Sequence, residues 1–265
     1  VTPVVVVEDV IHVKNEQHDA PKPRASSHSL LRAANYTGGV SAVIVRVENP
    51  EERESGLRQA RDVLSSGQCI VMPTDTVYGI ACDAFQPAAV STLLATKGRG
   101  RHMPPPVLVG NAEDVDMLVT HIPGGAQAIM DHFWPGGVTI VFEARPDVEW
   151  DLGETSGTVA IRMPNHPVAL ELLRLSGPLA VSSANRTGAL PALDAGEALA
   201  AFGDDVPLYV DASRVGLLYT GASGNPGSTI VDATGLATGR PWKVLRHGVC
   251  PSEDLRAVAG GDWDL

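Results

Sequence analysis

The sequence is short of positive charge. It sets 20 Lys and Arg against 31 Asp and Glu, for a formal net charge of -11. Proteins that coat long stretches of nucleic acid draw most of their affinity from a basic excess, so the composition argues against that class. A local basic site is not excluded. Cysteine is also scarce: Cys69, Cys82 and Cys250 are odd in number and show neither C-x-x-C nor Cys/His ligand spacing. This argues against a disulfide framework or structural zinc and for reduced thiols in a cytosol. No run of about 18 apolar residues occurs, so no transmembrane helix and no membrane partner are expected. Val4 to Val7 are followed by Glu8 and Asp9 and lack the flanking charge and length of a secretory signal. A cytoplasmic location is the expectation.

Several catalytic signatures are missing as well. No G-x-G-x-x-G follows the first expected strand, and no G-x-x-x-x-G-K-[ST] is found, which disfavours simple dinucleotide-binding and P-loop folds. H-E-x-x-H and G-x-S-x-G are absent, and His121, His132, His166 and His247 show no metal-ligand spacing, so each is read as structural or superficial.

The 265 residues are 44% apolar, enough for a full core, with 27 Gly and 20 Pro that suggest many shaped loops. Residues 17–29 are polar, hold two prolines and lack periodicity, which predicts a flexible extension over residues 1–40. Val4 to Val7 as an edge strand is the alternative. Strands are expected over residues 41–47, 69–72, 107–109, 138–142, 159–163, 179–182, 208–211, 229–231 and 242–245. Helices are expected over 50–65, 88–96, 125–133, 167–175 and 194–202, with Asn111 capping another. These mix without strict alternation, so the fold class is α/β, a twisted open mixed sheet with helices packed on it. A catalytic domain over 41–250 leaves 251–265 as a C-terminal tail, a short helix or unstructured.

Five polar segments beside strands are candidate site elements. Residues 73–79, PTDTVYG, offer two hydroxyls and a carboxylate; an ordinary Thr-closed turn is the competing reading. Lys97, Arg99 and Arg101 alternate with glycines and suit a polyphosphate, or else form a solvated basic loop. Arg162 lies in TVAIRMP, where strand alternation turns it away from its apolar neighbours, toward either an anion or a structural ion pair. Ser183 and Asn185, in SSAN, suit a nucleotide or a turn. Residues 224–232, GNPGSTIVD, suit a carboxylate, a phosphate or a strand-entry turn, with Arg246 as a further cation or a surface arginine. The combination positions anions and holds no built nucleophile.

In order, PTDTVYG, KGR, FWPG, TVAIRMPNHP, SSAN, GSTIVD and VLRHG resemble the motifs of the YrdC-type threonylcarbamoyl-AMP synthase family, over about residues 43–249. The resemblance implies a single YrdC-like domain with a large concave cavity, in the short form of the family. It implies a nucleotidyltransferase that makes threonylcarbamoyl-AMP and pyrophosphate from L-threonine, bicarbonate or CO2 and ATP with Mg2+. The product serves a separate transferase complex that modifies tRNA, and a weak direct contact with tRNA stays open. Carried over by motif, Lys97 and Arg99 are catalytic and hold ATP, together with Thr158, Ser183, Asn185, Ala192 and Arg246. Thr74, Thr76, Arg162, Val181 and Ser228 surround threonine, with Arg162 facing its carboxylate and Val181 contributing backbone. No protein metal ligand is implied. The sequence departs from the family pattern at Val107 to Val109, where a His is frequent, in the longer loop bearing Arg101, at Pro191 to Leu193, and at Gly227. Two alternatives remain: a non-catalytic RNA-binding protein using the basic loop, and a carbamoyl-adenylate-forming domain of the hydrogenase-maturation type.

Overall fold

A computed structural model describes residues 41–219 and 225–264. The extension expected over residues 1–40, with its Val4 to Val7 alternative, and Gly224 lie outside the described residues. In chain order the elements are β1 (Val43–Arg46), α1 (Pro50–Ser65), β2 (Ile70–Met72), β3 (Gly79–Asp83), α2 (Pro87–Lys97), β4 (Val107–Leu108), α3 (Gly124–Phe133), β5 (Val138–Glu143) and β6 (Thr158–Arg162). They continue with α4 (Pro167–Ser176), β7 (Leu179–Ser183), α5 (Ala195–Phe202), β8 (Leu208–Asp211), β9 (Thr229–Asp232), β10 (Trp242–Arg246), α6 (Ser252–Ala259) and β11 (Trp263–Asp264).

Local chemistry sets many of these boundaries. Asn49 accepts the Glu51 N–H at 3.0 Å, Pro50 occupies the first turn, and Glu51 and Glu52 face the positive end of α1. Its buried Leu57, Ala60 and Leu64 recur at helical spacing. The helix expected after Asn111 is present over residues 112–117 and is of the 3-10 type. There the Asp114 carboxylate accepts the Asn111 N–H at 3.1 Å.

The sheet runs β1-β8-β2-β3-β7-β4-β6-β5-β9-β10-β11 and is mixed. β1, β8 and β2 are parallel, β3 and β7 antiparallel to their neighbours, and β5 pairs β6 antiparallel but β9 parallel. The α/β mixed-sheet expectation holds. β3 was not expected: GIACD is buried along nearly its whole length and carries no alternation that separates it from the preceding loop.

Strand alternation feeds two cores. Val71, Ile80, Cys82, Val107 and Ala180 pack on one face under apolar residues of α2, α3, α5 and α6. Ile70, Met72, Ala81, Leu108, Leu179 and Val181 point to the other face, under α1 and α4. Of the two forms expected for the tail over 251–265, the short helix is present as α6, followed by β11. Leu255 of α6 is buried, and Trp263 of β11 stacks on Trp242 with ring centroids 5.1 Å apart, so these residues complete the sheet edge.

Candidate active site

The face under α1 and α4 is covered over only part of its width. Beyond those helices it floors a cavity of about 680 Å3. The register places the floor. Thr158, Ala160 and Arg162 alternate along β6, Val141 lies opposite Ala160 on β5, and Ile230 of β9 lies beside Thr139. All of these line the cavity. A volume of this size suits a nucleotide-sized ligand.

The loop between β2 and β3 forms one wall. The Thr74 hydroxyl accepts the N–H of Thr76 at 3.2 Å and of Val77 at 3.3 Å and donates to the Val77 carbonyl at 2.6 Å. It therefore closes a turn, as the simpler reading of this motif held, yet Thr74 and Thr76 also line the cavity. Asp75 points inward, its side chain wholly buried against Arg162. The Arg162 Nε donates to the Gly136 carbonyl at 2.8 Å, Nη1 to the Thr76 hydroxyl at 3.1 Å, and Nη2 to Asp75 Oδ1. The structural ion pair expected as one reading of Arg162 is present, and the same side chain lines the cavity. Tyr219 donates to Asp75 Oδ2 at 2.7 Å. Burial pushes the Tyr219 phenol well above its usual pKa and the Asp75 charge adds to the shift, so it stays a donor at neutral pH.

The basic segment divides. Lys97 closes α2 on the same stripe as Ala89, Val90, Leu93 and Leu94 and is only 1% exposed. Its ammonium donates to the Ser183 carbonyl at 2.5 Å, the Ser183 hydroxyl at 3.2 Å and Asn185 Oδ1 at 3.0 Å. Its ammonium thus lies directly behind Ser183 and Asn185, which line the cavity. Gly98, at φ 67°, takes the left-handed cap and turns the chain so that Arg99 lines the cavity. Arg101 points elsewhere and pairs with Asp151 at 2.7 Å on the surface, so the three cations do not converge.

On the opposite wall Ser183 and Asn185 line the cavity, tied by a 2.5 Å hydrogen bond. Thr158 lines it while donating to the Thr155 carbonyl at 2.8 Å. Ser228 meets Thr139 hydroxyl to hydroxyl at 2.7 Å, and Arg246 reaches the Ser228 carbonyl at 3.0 Å and its hydroxyl at 3.1 Å. This close approach of the chain beyond β10 requires Gly248, where a Cβ would lie 2.3 Å from the Ser228 carbonyl carbon.

Ala192 does not line the cavity; its N–H and carbonyl bond Ala184 and Tyr78, while Ala189, Leu190 and Pro191 form the wall beside it. Val181 lines the cavity with its N–H taken by the Pro106 carbonyl at 2.9 Å, and Pro106, lacking an N–H, returns no donor to the Val181 carbonyl. Sequence reasoning passed over Thr139, Tyr78, Asp75's pairing and Tyr219. Thr139 had a signal, a lone hydroxyl inside the apolar strand VTIVFE. His247, read as structural or superficial, sits at the rim.

Among the described residues no group of three or more His, Cys, Asp or Glu could hold a metal ion, and no carboxylate lines the cavity. No helix among them is long and apolar enough to cross a membrane.

Comparison with known proteins gives a consistent picture. A family model named Sua5/YciO/YrdC, described as telomere recombination, matches residues 62–248. A protein of Mycobacterium tuberculosis, provisionally named a threonylcarbamoyl-AMP synthase, is 48% identical over 214 residues, covering 81% of this chain and 94% of its own. The threonylcarbamoyl-AMP synthase of Rattus norvegicus is 31% identical over 257 residues, 93% of this chain and 84% of its own. The crystal structure of Pyrococcus abyssi Sua5 complexed with L-threonine superposes with a TM-score of 0.74 at 29% identity. That match covers 84% of this chain and 63% of the Pyrococcus chain.

Proposed function

The chain belongs to the Sua5/YciO/YrdC family, and we infer from that premise and from its cavity that it is a threonylcarbamoyl-AMP synthase. The observation that carries this reading is the cavity itself. Apart from the His247 imidazole at the rim, its polar side-chain lining is hydroxyls, amides and guanidinium groups, with Arg162 held as an oriented fork at one end and Arg99 and Arg246 elsewhere on the wall. Such a lining gathers anionic reactants and offers no nucleophile of its own.

The reaction needs none. The amine of L-threonine combines with CO2, releasing a proton, or with bicarbonate, releasing water, to give a carbamate whose oxygen attacks the α-phosphorus of ATP. The bond from that phosphorus to the bridging oxygen breaks and pyrophosphate leaves. The barrier lies in bringing anions into line and stabilising charge on the leaving group, which is the work of positioned dipoles and fixed cations.

In this reading Arg162 binds the threonine carboxylate two-pronged, with Thr74, Thr76 and Ser228 around it and Val181 as an apolar wall. Arg99, Arg246, Thr158, Ser183 and Asn185 face the nucleotide. Lys97 acts from behind, fixing Ser183 and Asn185. Mg2+ fits this donor set only as a companion of the triphosphate, since hydroxyls and amides alone make a poor magnesium cage. Bound there, it would neutralise phosphate charge. A transferase that modifies tRNA would consume the labile product.

The test is pyrophosphate release from ATP, bicarbonate and Mg2+, with and without L-threonine, and prompt detection of the adenylate by mass. Release that depends on threonine, with serine clearly poorer, is expected. Equal release without threonine, or none from folded protein, would overturn the reading.

A further inference from the structure

We propose that Tyr219 is the positioning residue that keeps Arg162 available to the substrate carboxylate, by occupying the outer oxygen of Asp75. The proposal rests on the synthase reading and deepens it.

Asp75 and Arg162 are both buried, and a carboxylate facing a guanidinium tends to take two N–H groups at once. Here it takes one. Its Oδ1 meets Nη2 of Arg162, while Oδ2 accepts the Tyr219 hydroxyl at 2.7 Å. Two further donors of Arg162 are also fixed, Nε on the Gly136 carbonyl and Nη1 on the Thr76 hydroxyl. A guanidinium carries five N–H groups, so this division leaves the cavity-facing edge of the fork for a ligand. Without the Tyr219 hydroxyl, Oδ2 would sit in a dry site lacking its donor. Rotation about the Asp75 side chain would then bring both oxygens onto Arg162 and set the protein's own carboxylate in competition with the substrate's.

Tyr219 is well placed for this task. Its ring packs over the Gly136–Gly137 turn, where a Cβ on Gly137 would lie 3.2 Å from the phenol oxygen. Gly136 is the residue whose carbonyl holds Arg162 Nε. Gly137 therefore leaves room for one aromatic ring to reach across the turn that clamps one side of the fork, to the carboxylate that holds the other. A phenol is also suitably neutral: a cation here would draw Asp75 away from Arg162, and a second carboxylate would repel it.

The experiment compares wild type with Tyr219→Phe in the threonine-dependent pyrophosphate assay, with melting temperatures measured alongside. The expected result is a rise of about tenfold in KM for threonine, the scale of one hydrogen bond to a charged group. KM for ATP and kcat should stay within about twofold. A companion Tyr219→Leu, which removes the ring as well, should show at least the same threonine defect. Wild-type activity with an unchanged threonine KM in Tyr219→Phe would overturn the role of Tyr219 and leave the reaction standing. So would parallel rises for threonine and ATP accompanied by a lower melting temperature, the signature of a merely structural residue. A wild type without threonine-dependent release would overturn the reaction reading and this assignment with it.

Discussion

One face of the sheet is built in two ways. Toward β1, β8 and β2 its outward positions are Val45, Ile70, Met72 and Leu208, and α1 and α4 seal them with Leu57, Leu64, Leu172 and Leu173. Toward β6 and β5 the same alternation presents Thr158, Arg162 and Thr139, and no helix among the described residues covers them. The backbone geometry is continuous across the boundary; the side chains decide which part becomes core and which becomes a site. A hydroxyl or guanidinium cannot be covered by a leucine-rich helix without losing its partners, so polar residues on a strand face keep that face open.

Changes on the open part should fall on chemistry, and those on the covered part on stability. The largest effect is expected at Arg162, which serves both. Arg162→Ala leaves Asp75 buried without its counter-charge, so stability should drop by about 3–5 kcal/mol and threonine-dependent turnover should vanish. Denaturant titration and steady-state kinetics read the two effects. Arg162→Lys keeps the charge but loses the fork, and should raise KM for threonine far more than KM for ATP.

Leu172→Ala sharpens the contrast from the covered part. It removes a fully buried side chain under α4 and should cost about 2–5 kcal/mol in unfolding free energy with both KM values within about twofold. Thr139→Val is smaller and lies on the open part. It removes the hydroxyl that meets Ser228, costs about 1 kcal/mol of local interaction, and should raise KM for threonine a few-fold without moving the melting temperature by more than a few degrees.

The smallest expected effect lies near the boundary. Burial lowers the pKa of His166 below its ordinary 6.5; Asp75 opposes the shift and Arg53 favours it. The unfolded chain therefore takes up the proton first. The stability contributed by neutral His166 is complete above pH 6.5 and is lost as pH falls through the lower folded value. His166→Asn should flatten that acid slope, measured as unfolding free energy between pH 7 and 5. An unchanged slope would place the titration elsewhere.

Legibility in the sequence followed the range of the interactions. α1 could be read from Asn49, Pro50 and the spacing of Leu57, Ala60 and Leu64, all within one segment. The cavity-facing alternation of β6 could be read from TVAIR, and the motif order carried the family. What escaped depended on distant pairing. Asp75 meets Tyr219 across 144 residues, and GLLYTG carries no pattern that would announce a phenol beside a buried carboxylate. The burial of Lys97, by contrast, was legible. This lysine stands four residues after Leu93 on the apolar stripe of α2, and grouping it with Arg99 and Arg101 by charge hid that spacing.

The central claim is that the open part of the sheet receives L-threonine with its carboxylate on Arg162. A crystal structure of the protein with L-threonine and a non-hydrolysable ATP analogue tests it most directly. The account predicts the carboxylate against the Arg162 fork, the side chain among Thr74, Thr76 and Ser228, and Asp75 still bonded through its outer oxygen to Tyr219. Threonine bound outside this cavity, or seated in it with its carboxylate away from Arg162, would contradict the account.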